Sequence, residues 1–527
     1  FWRRRPRGFH RPRKSGFWRV RGWVGGIPIM SFECVNVIGG GLAGLSAAVA
    51  LADAGLRVRL FEKRPYLGGR ATSYLLPDGS HVDNCQHVTL GCCTNLADFY
   101  RRVGSDAQIR YYNELFFADA HGRRFRIAPS ALAPPFHMAF SFLRFSALSW
   151  TDRISIGRAM LRIAQAGGHV PEADGTSMLD WLHRTGQTPA AIERFWRVVL
   201  VSALDEELAR TDARYGIDVF WKAFLSNREG FRVGIPTVPL SELYEGCRGA
   251  IERRGGEVRC RAAVREMRYE NNRARSVVFD DDVEETGDAF VIAVPQTAVA
   301  SVVGLSLVAS DPSLMGLQHL QDAPITGIHL WFDRQVMDEP FLTLLDHTVQ
   351  WIFNKTRLTA SARNDAASNG TGRAGEPARE SQRQYLQLVI SASYDLVSRS
   401  RQDIIDLCVR ELRDVLPATR DAQLVKATVI KEVAATFSPE PGSDRWRPGP
   451  RCSVDNLFLA GDWTNTGWPA TMEGAVRSGY LAAEAVLAAA GAPANFLQPD
   501  LPAQGLCARW ARNGNPGANG KGAKRVR

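Results

Sequence analysis

Long uninterrupted apolar runs are missing from this chain of 527 residues. The aromatic stretch 128–150 is broken by Pro134, Pro135, His137 and Arg144, so it is too short and too polar to span a bilayer. Residues 1–29 lack the continuous apolar core of a signal peptide. Cysteine is sparse. The nine cysteines form no C-x-x-C and no histidine pairing suited to zinc, and Cys92-Cys93 is adjacent and poor for an ordinary disulfide. No metal site is expected, and reduced thiols point to a cytoplasmic protein. Acid is absent from both tails. Residues 1–30 carry nine Lys/Arg and residues 505–527 carry six, so the net +10 of the chain leaves −5 for residues 31–504. A nucleic-acid role read from net charge therefore fails, because the basic charge lies in the tails and no basic recognition motif accompanies it. Residues 359–384 contain no Leu, Ile, Val, Phe, Met, Trp or Tyr. They read as a disordered insertion in a hairpin loop between the strand-like runs 349–353 and 385–390.

What is present supports a large structure. A hydrophobic content of 45% allows an extensive core and more than one domain. The most informative stretch is 35–62. Val35, Val37 and Ile38 read as a buried parallel strand, and Gly39, Gly41 and Gly44 follow in G-x-G-x-x-G spacing. The first glycine permits a tight turn, the second lets backbone approach a pyrophosphate, and the third lets helix pack on strand. An Ala-rich helix, 45–54, ends at Gly55, a second strand occupies 57–61, and Glu62 closes it 18 residues after Gly44. A carboxylate there can accept both hydroxyls of an adenosine ribose, with the phosphates on the helix N-terminus. The pattern reads as a dinucleotide site in an α/β fold.

The next residues, Lys63-Arg64-Pro65-Tyr66-Leu67-Gly68-Gly69-Arg70-Ala71-Thr72, indicate which dinucleotide. The glycine pair can turn close to the phosphates, and Arg70 carries the planar fork that pairs with them. This element resembles the G-G-R-x-x-[ST] signature of the amine oxidase and phytoene desaturase superfamily of FAD proteins. Far downstream, 456–463 reads as a strand ending in Gly461-Asp462, and 471–479 opens a helix that continues through Leu487. The pairing is similar to the second half of an FAD site in that superfamily. The resemblance implies that Asp462 holds the pyrophosphate and ribitol. It also implies that Met472 lies near the flavin at a helix start, where the dipole favours negative charge on reduced flavin. By the same resemblance, 255–264 is a strand pair whose last residue, Val264, touches adenine, and 290–295 is the returning strand. The cofactor-binding residues are then Gly39, Gly41, Leu42, Ala43, Gly44, Glu62, Lys63, Gly69, Arg70, Val264, Gly461, Asp462 and Met472, with non-covalent FAD as cofactor.

The expected architecture is α/β. A Rossmann-type FAD domain is assembled from 31–125, 245–300 and 450–490. An α+β substrate domain, 126–244 and 301–449, contains an aromatic-rich helical subdomain. Residues 1–30 are read as a basic tail and 491–527 as a disordered tail, and Met30 as the natural start. The alternative for the arm is a basic, aromatic contact with an anionic membrane surface. Helical periodicity is present in 152–166, in 190–204 and near 214–225. Such a subdomain suits a hydrophobic tunnel or a membrane-facing cap.

Residues 82–92, Val-Asp-Asn-Cys-Gln-His-Val-Thr-Leu-Gly-Cys, resemble the D-N-G-Q-H-…-G-C segment of hydroxysqualene dehydroxylases, squalene-associated FAD relatives of the hopanoid pathways. Phe195-Trp196, Ser202-Ala203-Leu204, 235–243 and 388–393 are similar to that family too, so the likeness covers 31–490. It implies a hydrophobic isoprenoid substrate and reductive loss of an allylic hydroxyl to give squalene. An electron donor or reductase outside this chain is also expected, since no second G-x-G-x-x-G follows an apolar strand. Asp83 and His87 are the nearest candidates for the acid, with loop ordering as their alternative role, and no residue is assigned as catalytic. Cys85 stands where the family has glycine, and a left-handed backbone there would strain it. The competing readings are a carotenoid desaturase, an amine oxidase and a non-catalytic FAD-fold scaffold.

Overall fold

The computed structural model describes residues 32–359 and 383–514, with a short antiparallel strand pair at Trp23–Val24 and Ile27–Pro28. The rest of the basic arm, Met30, nearly all of the 359–384 insertion and residues 515–527 lie outside the described residues.

A five-stranded parallel sheet forms the first layer, in the order Glu257–Cys260, Arg57–Glu62, Cys34–Ile38, Ala289–Ile292, Leu457–Leu459. Its strands come from three distant stretches; Cys34–Ile38, Ala289–Ile292 and Leu457–Leu459 are short, largely apolar runs able to be buried on both faces, whereas Arg57–Glu62 and the edge strand Glu257–Cys260 carry charged residues. Helix Leu42–Asp53 follows the first strand and begins at Leu42, three residues earlier than its apolar pattern suggests. The glycines explain the start. Gly39 adopts φ +111°, and a Cβ there would lie 2.4 Å from the Ala293 carbonyl oxygen. A Cβ on Gly44 would lie 1.9 Å from the Gly39 oxygen, so the turn closes only without side chains. Helix Met472–Ala489 packs against Leu42–Asp53, and their closest approach is at Gly479.

The second layer is a seven-stranded sheet in the order Arg124–Ile127, Leu115–Ala118, Phe341–Leu344, Trp351–Asn354, Gln384–Ile390, Asp322–Phe332, Leu424–Phe437. Trp351–Asn354 pairs antiparallel with Gln384–Ile390, the hairpin that flanks the insertion. The first cofactor-domain segment does not run to 125. Leu115–Ala118 pairs in parallel with Phe341–Leu344, because its buried Leu115 and Phe117 pack with the aromatic helical core rather than the parallel sheet.

That helical core contains Trp150–Gln165, Met178–Arg184 and two longer runs, each with a π turn: Pro189–Ala191 to Val198–Leu204 through Ile192–Arg197, and Ala213–Val219 with Phe220–Leu225. Trp181, Trp196 and Phe220 are fully buried at its centre. Residues 491–512 form an ordered strap, not a disordered tail. Gln498 and Asn95 exchange hydrogen bonds at 2.8 and 3.1 Å, Asn227 donates to the Pro502 oxygen at 2.8 Å, and Phe496 and Cys507 are buried. Gly505–Gly514 then forms a helix beside Trp150–Gln165. Among the described residues no helix is long and apolar enough to cross a membrane.

Candidate active site

A cavity of about 550 Å³ runs from the glycine turn into the helical subdomain. Gly39, Gly41, Leu42, Ala43, Glu62, Lys63, Gly69, Arg70, Val264, Gly461, Asp462 and Met472 all stand on its wall. Gly44 does not; it lies behind, against Gly39 and Ala293. Loops at the carboxyl ends of the parallel strands carry this polar end, the usual location of a ligand on such a sheet.

The residues fit FAD. No side chain caps helix Leu42–Asp53, and its first turn holds no acid, so its leading N–H groups are left for an anion. Around the Cβ position of Gly41 the nearest atom is the Gly69 Cα, 3.9 Å away, while a Cβ on Gly69 would come within 2.9 Å of Gly41. Two bare backbones thus face each other where a pyrophosphate needs close approach. Buried Glu62 accepts from Gly40 N at 2.6 Å and from Arg64 N at 2.7 Å through different oxygens. Each oxygen keeps a lone pair for a ribose hydroxyl.

Arg70 donates to both oxygens of Asp462, at 2.7 and 2.8 Å, and to the Ala435 carbonyl at 2.7 Å. Burial pulls the guanidinium pKa down, but Asp462 outweighs it and holds the pKa above its ordinary value. Arg447, unremarkable in sequence, is buried behind this loop. It donates to the carbonyls of Asp462, Thr464 and Trp468 at 3.1, 2.6 and 2.8 Å, fixing the loop's path. Thr471 caps helix Met472–Ala489 by accepting from Gly474 N at 3.0 Å, which sets Met472 at the first turn.

Of the two roles open to the 83–92 segment, acid or loop ordering, the contacts of Asp83 fit loop ordering. Asp83 is buried and accepts from Lys355 Nζ at 2.7 Å and Ser73 Oγ at 2.7 Å. Burial pushes its pKa up, but Lys355 and these hydrogen bonds more than offset that, leaving it below the ordinary carboxylate range. It is an ionised anchor and holds no proton to give. Lys355 also donates to Gln86 at 3.0 Å. His87 lies on the cavity wall, with Nδ1 2.9 Å from the Cys85 oxygen. Burial lowers its pKa, so its ring is neutral at pH 7. Cys85 adopts no positive φ, so replacing glycine there strains nothing.

Three wall residues carry no signal in the sequence. Lys222, paired with Asp218 at 3.1 Å, sits 4.9 Å from the Trp468 ring centre. Asp205 is buried, with no cation within ion-pair distance among the described residues. Thr436 donates to it at 3.0 Å.

Beyond the polar end, the wall turns apolar. A second cavity of about 220 Å³ shares Leu115, Phe117, Val198, Val199 and Phe224 with the first. Phe136, Phe142, Phe145, Phe195 and Phe220 line it.

A family model described as flavin containing amine oxidoreductase matches residues 42–487. The chain is 27% identical over 480 residues to a 15-cis-phytoene desaturase of Synechococcus elongatus, covering 86% of this chain and 96% of that protein. It is 26% identical over 481 residues to a probable zeta-carotene desaturase of the same species, covering 86% and 98%. Among solved structures, an oxidoreductase from Methanosarcina mazei matches with TM-score 0.64 at 17% identity, over 85% of this chain and 98% of that one. Wild-type putrescine oxidase bound to putrescine matches with TM-score 0.63 at 15% identity, over 88% and 100%.

Proposed function

We propose, from the premise that the chain belongs to the flavin containing amine oxidoreductase family, that it desaturates a long apolar isoprenoid. It is an FAD-dependent oxidoreductase. FAD, when bound, supplies two-electron hydride chemistry. In this reading the glycine turn, Glu62, Lys63, Arg70, Val264, Asp462 and Met472 hold the cofactor. The protein's further tasks are to orient the substrate, exclude water and manage one proton.

The observation that carries the proposal is the adjacency of two cavities. The first has a polar end suited to a dinucleotide, and its apolar end shares a wall with a chamber lined by phenylalanines. Apolar burial there stabilises a bound hydrocarbon by about 25 cal/mol per Å². The similarity to two carotenoid desaturases over nearly their full lengths supports the same substrate class. An electron partner outside this chain completes each turnover.

The chamber reaches a surface suited to lipid. Phe140, Trp150 and Ile154 beside it are 54%, 63% and 53% exposed, and Arg144 and Arg158 are exposed among them. This combination fits a cytoplasmic protein resting on the inner face of an anionic membrane, from which an isoprenoid enters. Sedimentation with phosphatidylglycerol vesicles should pull down the wild type and leave F140S/W150S in solution. Equal sedimentation of both would remove the membrane contact.

A second reading, removal of the hydroxyl of hydroxysqualene to give squalene, is kept alive by one observation: a cavity-wall carboxyl, Asp205, whose environment favours the protonated form. Phytoene with oxidised holoenzyme and hydroxysqualene with chemically reduced holoenzyme, both anaerobic, separate the two. Desaturated product with flavin bleaching supports the first reading. Squalene with flavin reoxidation replaces it with the second.

A further inference from the structure

We propose that Asp205 is the residue that exchanges a proton with the substrate in this cavity. The proposal rests on the isoprenoid reading above. Its starting point is an imbalance. The other buried carboxylates on the wall are committed: Asp462 to Arg70, Glu473 to Arg477, and Glu62 to backbone amides at the nucleotide end. Asp205 has only neutral partners. Ala392 N donates to Oδ1 at 2.8 Å and Thr436 Oγ1 donates to Oδ2 at 3.0 Å.

The backbone is unusual at the same place. Asp205 has φ +56° and Ala392 has φ +49°, and these two residues are joined by the Ala392 N–H bond. Left-handed non-glycine residues are strained and concentrate at functional sites. Asp205 also links the two halves of the cavity. Thr436, its hydrogen-bond partner, follows Ala435, whose carbonyl receives Arg70, while Ser202 and Ala203 of its own helix border the apolar part.

The hydrogen bonds locate the proton. Oδ1 faces an N–H that can only donate, so a proton on the carboxyl sits on Oδ2, where the Thr436 hydroxyl can rotate to accept. Burial raises the Asp205 pKa well above its ordinary value, and the neighbouring Glu206 carboxylate adds to this, against the lowering by Ala392 and Thr436. In desaturation the substrate loses two hydrogens from adjacent carbons as the C=C forms. One leaves as hydride to the oxidant, FAD, and the other as a proton to Oδ2 of Asp205 in its ionised form. In the dehydroxylation reading the direction reverses: Oδ2 gives its proton to the departing hydroxyl, which leaves as water, and reduced flavin provides the hydride.

Infrared spectroscopy of the holoenzyme without substrate tests the first half. A protonated-carboxyl C=O band that shifts in deuterated water should titrate well above the ordinary carboxylate range and be absent in D205N. Thr436→Val removes a donor to the ionised form, so the titration midpoint of the band should move up. That measurement needs no Asp205 variant to fold. Turnover tests the second half: D205N should lower kcat about 100-fold or more, with FAD content and KM retained. For desaturation the wild-type kcat should rise with pH through the band's midpoint; for dehydroxylation it should fall. A band missing from the wild type, a band that survives in D205N, or a D205N kcat within about threefold of wild type overturns the proposal. A wild type that shows the band yet converts neither isoprenoid overturns the substrate reading, while loss of the band in D205N still upholds the protonated Asp205.

Discussion

Replacing Glu62 by alanine tests the nucleotide end. The carboxylate is 6% exposed and receives two backbone N–H groups, from Gly40 at 2.6 Å and Arg64 at 2.7 Å. Those bonds shape the glycine turn before any ligand arrives, and the remaining lone pairs face the cavity. Loss of a hydrogen bond to a charged partner costs about 1.5–3 kcal/mol. Applied to the ribose alone, that weakens FAD binding by about 10- to 150-fold. The turn also loses its two acceptors, so Glu62→Ala should melt earlier as apoprotein. Glu62→Gln separates the two effects. It keeps one acceptor oxygen for the turn but removes the charge, and should fall between wild type and alanine in affinity while melting near wild type. Titrating FAD into apoprotein and following the quenching of flavin fluorescence gives the dissociation constants. An unchanged constant in Glu62→Ala would show that the ribose binds elsewhere.

Two structural predictions accompany it. Gly479→Ala should destabilise the protein by about 1–3 kcal/mol through overpacking, because its Cβ would lie 2.1 Å from Ser46 Oγ and 2.3 Å from the Ala43 oxygen; a wild-type urea midpoint would refute that packing. Asp83→Asn should cost about 3–5 kcal/mol by leaving Lys355 charged and unpaired in the interior, and Asp83→Asn with Lys355→Met should recover most of it. Because the folded pKa of Asp83 is depressed, its stabilisation is complete above the unfolded value of about 3.9 and disappears as pH falls through the lower folded value. The double variant should lack that part of the acid unfolding curve, and identical acid curves would dismiss the pair.

The cofactor end was legible because its chemistry is local. A strand, three glycines, a helix and an acid occur within a short span, and each residue type answers a steric or charge requirement of a dinucleotide. The 456–462 strand and the helix after it were readable for the same reason. The substrate end was not, because its determinants are long-range. Asp83 and Lys355 are 272 residues apart in sequence, and nothing about either lysine or aspartate alone predicts the pair. Asp205 looks like an ordinary acid in a helical, charged stretch until Ala392 and Thr436 close over it. The 491–512 strap was missed because Gly, Pro and Asn give no periodicity, and what orders it is a set of single hydrogen bonds to Asn95 and Asn227. The family signatures identify the cofactor better than the substrate, since the substrate wall is assembled from both sheets and the helical core.

That division of labour leads to a last prediction. Putrescine oxidase shares this fold, so the architecture alone does not exclude a small diamine as substrate. A diamine carries two ammonium groups into the cavity, and each loses hydration that the wall must replace. Here the candidate anions are already engaged: Asp218 by Lys222, Asp462 by Arg70, Glu473 by Arg477, Glu62 by two backbone amides, and Glu432 by the Asn84 amide at 3.1 Å and the nearby Arg70 charge. Asp205 could meet one ammonium only by ionising in a site that favours its neutral form. The second ammonium would face Phe142, Phe195 and Phe220, whose ring faces offer about 2 kcal/mol at best for a desolvated cation, well short of an ion's desolvation cost. Adding putrescine to the oxidised holoenzyme should therefore leave the flavin spectrum unchanged and release no hydrogen peroxide, while a long isoprenoid in detergent perturbs it. Saturable flavin bleaching by putrescine would mean that the wall rearranges to free an anion, and would turn the substrate assignment from isoprenoid to amine.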